Sequence, residues 1–195
     1  MDSINPMVSF YENHFETKLN EAEKEIIEKG YKRNFYPKKT LLFRAGDANT
    51  KHYLIEKGLL RLFLMDAKGK EINILFAKEN QALGDLATPN PTNFYLETLE
   101  DSWIHSIDEE GLQHIMETLQ IWKSMSPKNG LRRAYIHIQK RLVSILSKSA
   151  EENYLDFRQQ YPDLIQRIPQ YQIAAYLGIS PEFLSKIIAK ANKNA

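Results

Sequence analysis

The side chains of this sequence that could do chemistry are five histidines and a set of charged residues, and it has no cysteine. The histidines form no His-x-His or His-Glu-x-x-His pair, the spacings that would direct two ligands to one metal ion. The sequence also contains no Ser-His-Asp motif, P-loop or Gly-x-Gly-x-x-Gly motif. Without cysteine there is no thiolate nucleophile and no cysteine-held zinc or iron-sulfur site. These observations argue against an enzyme and against a bound metal.

Residues 170–189 carry the most informative pattern. A helix-turn-helix needs a small residue where its two helices cross and a residue that tolerates positive φ in the turn. Ala174 and Gly178 meet these two requirements, and Ser180 followed by Pro181 predicts the start of the second helix. Apolar residues at the flanking offsets complete the pattern: Ile173, Leu177, Ile179, Leu184 and Ile187.

The second helix of this motif has a predicted inner face of Phe183, Leu184, Ile187 and Ile188. Its outer face would enter the major groove of DNA, where a glutamate can accept from cytosine N4 and a lysine can reach guanine or phosphate. Gln170 and Ser180 are placed for contacts with the DNA backbone. The predicted DNA-binding residues are Gln170, Ser180, Pro181, Glu182, Ser185, Lys186 and Lys190. A helical hairpin that binds no DNA is the alternative.

The charge of the chain is divided unevenly, although its net value is only +1. Residues 131–195 contain ten Lys or Arg against five Asp or Glu, a net charge of +5. Residues 1–130 then hold 16 basic and 20 acidic residues, a net charge of −4. A basic last third favours nucleic-acid contact there, while two solvated surfaces of different charge would give the same numbers.

The elements that must position this motif change character along the chain. Asn20, with Glu23 three residues later, predicts a helix that ends at Gly30. Short β-type runs follow at 40–43, 52–55, 59–64, 71–76 and 94–99, separated by turn signals. Many short strands at close spacing predict an antiparallel β-roll or jelly roll. With helices around it, the predicted fold class is α+β.

Helical periodicity returns at Asp108 and again over residues 131–148. The second stretch has apolar residues at spacings of 4, 3, 4 and 3: Leu131, Tyr135, Ile138, Leu142 and Ile145. This heptad seam predicts a dimerisation helix that pairs with its copy in a homodimer. A helix that lies on its own domain is the alternative.

The predicted domains are a β-roll at residues 1–125, a dimerisation helix at 126–148 and a helix-turn-helix domain at 149–195. No apolar run is long enough to cross a membrane, and no signal peptide is visible at the N-terminus. We therefore expect a cytoplasmic protein without membrane contact.

The order of these parts resembles the Crp/Fnr family of bacterial transcription regulators. That family joins a cyclic-nucleotide-binding-type β-roll to a DNA-binding domain through a long dimerisation helix. The resemblance is carried by the helix-turn-helix and by residues 43–47, 53–58, 60–62, 68–71, 149–154, 161–162 and 167–170. It implies a homodimer whose recognition helices read half-sites about 34 to 36 Å apart on double-stranded DNA. RNA polymerase is a further candidate partner.

The resemblance places an effector pocket at Gly84, Asp85, Leu86, Thr92 and Asn93. Family members that bind cyclic AMP carry Gly-Glu-Leu followed by Arg-Ser-Ala, whose arginine holds the cyclic phosphate. Here residues 92–94 replace Arg-Ser-Ala, and no arginine lies between Arg61 and Arg132. Because a bidentate guanidinium contributes strongly to phosphate binding, we expect no control by cyclic AMP and no cofactor. A small molecule other than cyclic AMP remains an alternative as the effector.

A second departure from the family lies at the end of the chain, where only five residues follow the expected recognition helix. We therefore expect no β-hairpin wing and fewer phosphate contacts. Three other functions remain as alternatives: a metal enzyme on a jelly roll, a haem sensor, and a ligand sensor that acts through protein partners with a degenerate helix-turn-helix. The main prediction is a DNA-binding transcriptional regulator that is not an enzyme.

Overall fold

The computed structural model describes residues 5–48, 51–84, 91–119 and 130–193, with the backbone alone for 130–134 and 193. The chain folds into two compact units. The front unit contains residues 1–62 and 76–133, and the rear unit contains residues 63–75 and 134–195. The predicted domain bounds after residues 125 and 148 stay a prediction.

Two short helices open the front unit: α1 (Pro6–Phe15) and α2 (Glu21–Gly30). The Asn5 side chain accepts a hydrogen bond from the Met7 N–H, and a proline occupies the first turn of α1. Asn20 and Glu23 form the predicted capping box at the start of α2. The sequence analysis missed α1 and correctly placed α2.

Within the described ranges, eight strands form two four-stranded sheets, with the orders β1-β8-β3-β6 and β2-β7-β4-β5. In the first sheet β8 pairs antiparallel with both β1 and β3, and Ile55 lies opposite Ile104. In the second, β2 pairs antiparallel with β7. This arrangement confirms the predicted α+β class with an antiparallel β-roll. The strands are β1 (Lys32–Tyr36), β2 (Leu41–Phe43), β3 (Lys51–Lys57), β4 (Leu59–Met65), β5 (Glu71–Lys78), β6 (Ala82–Leu83), β7 (Tyr95–Thr98) and β8 (Ser102–Asp108).

The helix α3 (Glu109–Thr118) follows β8 directly, and the Asp108 side chain accepts from the Gly111 N–H as the sequence predicts. Its buried Ile115 joins an apolar cluster that links α1, α2 and α3 to β3 and β8. Each square ångström of apolar surface removed from water contributes about 25 cal/mol, so this cluster holds the helices on the sheet. The buried members of the cluster are Met7, Val8, Tyr11, Leu19, Ile27, Leu54, Ile107 and Ile115.

Two groups of charged contacts in the front unit each join strands of one sheet. Arg61 on β4 and Glu97 on β7 form an ion pair of 2.7 Å, with side chains only 4% and 17% exposed. On the other sheet Glu56 accepts two hydrogen bonds of 2.7 Å from Arg33 and one of 2.8 Å with His105. The Arg33 guanidinium, supported by His105, lowers the pKa of Glu56 to about 2. Both groups of contacts join different strands.

Of the residues that the structure describes, the rear unit contains most of one helix, three whole helices and the turn between β4 and β5. The Asp66 side chain accepts from the N–H groups of Lys68 and Lys70 in that turn, where Gly69 has a positive φ. The helices are α4 (Gly130–Ser147), α5 (Ala150–Gln160), α6 (Gln170–Leu177) and α7 (Pro181–Lys193). Among the described residues, no helix has the length and apolar character that crossing a membrane requires.

Candidate nucleic-acid interface

The helices α6 and α7 form the predicted helix-turn-helix. Gly178 ends α6 with φ 73°, and its N–H bonds to the carbonyl of Ala174. The Ile179 N–H donates to the same carbonyl at 3.1 Å, which closes the turn. Only a residue without a Cβ adopts this left-handed conformation readily, so Gly178 is the residue that the turn requires.

The crossing of the two helices is packed around small and aliphatic side chains. Ala174 and Leu184 have no exposed surface, and Ile173 and Ile187 are almost as completely buried. A methyl group at position 174 lets α7 approach α6 closely. The inner face of α7 is thus fixed by Leu184 and Ile187, as the sequence predicts.

The first turn of α7 presents its N–H groups at the surface. The Ser180 hydroxyl accepts from the Phe183 N–H at 3.2 Å, and Pro181 is the first helical residue. Glu182 is fully exposed beside them, and its own backbone N–H together with the Ser180 hydroxyl lowers its pKa. A glutamate that stays ionised at this place can only accept hydrogen bonds.

All seven predicted DNA-binding residues lie at the surface of the rear unit. Besides the Ser180 cap, the Ser185 hydroxyl donates to the Pro181 carbonyl at 3.0 Å, and Lys190 forms an ion pair of 2.7 Å with Glu151 on α5. Lys186 is exposed between them. The outer face of α7 therefore offers a carboxylate, a hydroxyl and two ammonium groups along one side.

Phe183 was assigned to the inner face, and this prediction is wrong because its side chain is 49% exposed. Leu184 and Ile187, three residues apart, already fill the space against α6, while Ile188 is only half-buried. Phe183 lies three residues before Lys186 and therefore on the same side of the helix. The sequence analysis missed it as a surface residue because an aromatic side chain beside an aliphatic core pattern suggests burial.

The helix α4 exposes the apolar seam predicted for dimerisation. Four of the five predicted residues are more than half exposed, and Leu131 lies in α4 with its side chain outside the described part. Val143 and Leu146, which the sequence analysis did not include, extend the same apolar surface. The four described seam residues are Tyr135, Ile138, Leu142 and Ile145.

The predicted effector pocket is described only in part. Asp85 and Leu86 lie outside the described residues, while Gly84 lies close to the Lys51 carbonyl and Asn93 is exposed. Thr92 is buried, and its backbone pairs with Gly46 and Asp47 at 2.9 and 3.0 Å. Within the described ranges no group of three acidic or histidine side chains could hold a metal ion.

Two residues that the sequence analysis did not single out contact α6. The Asn73 side chain donates to Gln172 in the first turn, and Arg141 donates to the carbonyl of Tyr176 in the last turn. Both contacts lie inside the rear unit. The helix α6, which packs against α7, is thus held at both ends.

Comparison with known proteins identifies the family and the solved structures that this chain is similar to. The family described as "Cyclic nucleotide-binding domain" matches residues 33–119. Three solved structures match nearly the whole chain. The first is the c-di-GMP responsive global regulator CLP of Xanthomonas campestris, with 14% identity, coverage of 90% of this chain and 93% of CLP, and a TM-score of 0.71. The second is FixK2 of Bradyrhizobium japonicum, with 13% identity, coverage of 84% of this chain and 85% of FixK2, and a TM-score of 0.68. The third is a protein of Eubacterium rectale described as a Crp/Fnr family regulator, with 16% identity, coverage of 90% of this chain and 85% of that protein, and a TM-score of 0.62.

A comparison with curated protein sequences found no match. At identities of 13% to 16% the likeness to the three structures establishes the fold. Residues 33–119 therefore match the cyclic nucleotide-binding domain family, and the chain has the fold of the Crp/Fnr regulators, which confirms the resemblance that its motifs predicted.

Proposed function

We propose that the protein is a sequence-specific DNA-binding transcriptional regulator of the Crp/Fnr type that acts as a homodimer and has no enzymatic activity. The observation that carries the proposal is the outer face of α7, where Glu182 and Lys186 are exposed on a helix whose opposite face buries Leu184 and Ile187. A helix of this kind fits the major groove, and its N-terminal residues reach base edges.

Each exposed residue has a role that its chemistry supports. Glu182 accepts from cytosine N4, and Lys186 donates to guanine or to a phosphate. Phe183 adds an apolar contact of the kind that recognises a thymine methyl group. Gln170 and Ser180 contact the DNA backbone and fix the register of the helix.

The homodimer forms through α4. Its exposed seam would be costly to leave in water, and contiguous apolar patches on soluble proteins commonly mark protein interfaces. Pairing of two copies through Ile138 and Leu142 presents two recognition helices together, which a palindromic operator requires. Leu142→Glu is expected to give a monomer in sedimentation velocity.

The β-roll serves as an effector domain that does not respond to cyclic AMP. Thr92 stands where the family's cyclic AMP binders carry arginine, and its backbone is already paired within the protein. Binding of another small molecule would shift the populations of two arrangements of the dimer. Native mass spectrometry of the purified protein is the direct search for that molecule.

The decisive experiment is selection of bound fragments from genomic DNA, followed by affinity measurement at fixed salt. Lys186→Ala and Glu182→Ala are each expected to reduce operator affinity by about 1 to 3 kcal/mol. Lys38→Ala, which removes an exposed lysine of the front unit, is the matched control and leaves affinity unchanged. Unchanged binding in both α7 variants would refute the assigned face. Failure of the wild-type chain to select any fragment would favour a ligand sensor that acts through protein partners.

A further inference from the structure

The helix α6 is anchored at its N-terminal end by a buried side chain from β5. The Asn73 Nδ2 atom donates to the backbone oxygen of Gln172 at 2.8 Å and to its Oε1 atom at 2.7 Å. Asn73 has no exposed surface and Gln172 is 2% exposed. A donor shared by two acceptors of one residue defines both distance and direction, so this end of α6 has one position against the hairpin.

The C-terminal end of α6 is anchored by Arg141 of α4. One terminal nitrogen of its guanidinium donates to the carbonyls of Asn73 at 2.9 Å and Tyr176 at 3.0 Å, and the other donates to the carbonyl of Ile74. The guanidinium also lies 3.9 Å from the centre of the Tyr176 ring. Carbonyls in the last turn of a helix lack partners in the helix and carry its negative end, so a cation is favourable there.

Arg141 has no carboxylate partner within the described part of the chain, and its Nε atom is buried without a hydrogen bond. Burial lowers its pKa. A buried cation held only by carbonyls and a ring depends on the planar fork of the guanidinium, which an ammonium group does not reproduce. Its contacts are therefore specific in direction, and they join α4, the β4–β5 hairpin and α6.

The same α4 that holds α6 through Arg141 also exposes the apolar dimer seam, including Ile138 and Leu142 on either side of it in sequence. The angle between α4 and the α6–α7 pair then decides where each recognition helix lies in a dimer. Asn73 and Arg141 fix that angle within the rear unit. We call these two residues and their contacts the polar clasp.

We propose that Asn73 and Arg141 are positioning residues for DNA recognition: the polar clasp sets the spacing between half-sites that the dimer accepts. The inference rests on the proposed function, since it assumes two recognition helices on one operator. Each inserted base pair moves one half-site by about 3.4 Å along the duplex and rotates it by roughly a tenth of a turn. A dimer whose recognition helices are held rigidly binds such an operator weakly, whereas a dimer whose recognition helices can move still binds it.

The test uses the full-length chain and three operators: the selected sequence and versions with one base pair added or removed between the half-sites. Arg141→Gln and Asn73→Leu remove the two anchors, and Arg158→Gln removes an exposed arginine from α5 of the same unit as the matched control. We expect Arg141→Gln and Asn73→Leu to bind the native spacing about tenfold more weakly and to lose most of the preference for it. Arg141→Lys behaves like Arg141→Gln, and Arg158→Gln keeps the preference.

Two results of the binding measurements would overturn the proposal. One is an Arg141→Gln protein that unfolds cooperatively and keeps the wild-type spacing preference. The other is an equal loss of affinity for all three operators, which indicates a phosphate contact or general destabilisation. Hydrogen exchange separates this proposal from the proposed function: the amides of residues 172–177 lose protection in Arg141→Gln and not in Arg158→Gln. If the wild-type chain selects no DNA, the proposed function fails, and unchanged protection in Arg141→Gln refutes the clasp itself.

Discussion

The contacts inside the front unit differ in kind from those inside the rear unit. In the front unit, aliphatic side chains such as Ile27, Leu60 and Ile104 are completely buried and hold helices and strands together. In the rear unit, the decisive contacts of α6 are hydrogen bonds from Asn73 and Arg141. Apolar packing stabilises a fold with little directional preference, whereas hydrogen bonds define one angle.

This difference matches what each unit has to do in a regulator of the proposed kind. A β-roll has to keep its fold while its loops change conformation, and a large apolar core provides the stability for this. A pair of recognition helices has to be held at a fixed angle with modest energy, because a changed angle is a useful response. The exceptions to the comparison are the buried charges of the front unit, and these offer the strongest test of it.

The largest expected effect comes from the buried ion pair of the front unit. Glu97→Ala removes the carboxylate that pairs with the buried Arg61 cation, which is expected to lower the free energy of unfolding by about 3 to 5 kcal/mol. Glu25→Ala removes one partner of an exposed ion pair with Lys29, and its effect on stability should be far smaller because solvent screens both charges. Urea denaturation of both variants measures the difference. Equal effects would mean that burial of the charge does not matter here.

An intermediate effect is expected at two glycines with positive φ, one in each unit. A Cβ on Gly58 would lie 2.1 Å from the Ser102 hydroxyl and 2.9 Å from its Cα, whereas a Cβ on Gly178 meets nothing within 4 Å. Gly58→Ala therefore combines backbone strain with a clash and should cost about 2 to 5 kcal/mol. Gly178→Ala adds strain alone, about 1 to 2 kcal/mol. Thermal unfolding that ranks Gly178→Ala as the more harmful change would contradict this account.

The smallest effect concerns the acid stability of the front unit. The pKa of Glu56 is about 2 in the folded chain against an ordinary value of 4.5, with Arg33 as the main cause. A lowered carboxyl pKa contributes stability above the ordinary value, and this contribution is lost as the pH falls from 4.5 toward 2. Glu56→Gln should therefore lower Tm by roughly 2 to 4 °C at pH 7 and remove part of the acid dependence.

Differential scanning calorimetry between pH 7 and pH 2 checks this last prediction, with the exposed Glu110→Gln as the control. The melting temperatures of wild type and Glu56→Gln should converge at the acid end. Parallel curves over the whole range would show that the contact with Arg33 and His105 contributes no stability that depends on pH.

The sequence was most informative where the determinants of structure are local. The turn at Gly178, the caps at Asn20 and Asp108 and the crossing residue Ala174 each follow from a residue type at a fixed offset from its partners. Such features involve neighbours within a few positions, so the pattern alone predicts them. The helix-turn-helix is built almost entirely from features of this kind.

Features that depend on distant residues could not be predicted in the same way. Strand β8 has four successive buried residues from Ile104 onward and so lacks the alternation that marks a half-buried strand. Phe183 is exposed because Leu184 and Ile187 already fill the inner face, which depends on packing against α6. Arg141 and Asn73 are 68 positions apart, and nothing in either neighbourhood indicates that they meet.

The ion pair between Lys190 and Glu151 has a consequence for how such a protein would search a genome. Its lysine is 62% exposed, yet a phosphate that approached it would have to displace a carboxylate held at 2.7 Å. Glu151 therefore competes with phosphate for one of the cations that we propose to face DNA. Binding to arbitrary sequences is almost entirely electrostatic, so the competing carboxylate of Glu151 shortens the residence time on non-specific DNA the most. Glu151→Gln would lengthen that residence and steepen its dependence on salt concentration by about one released counterion.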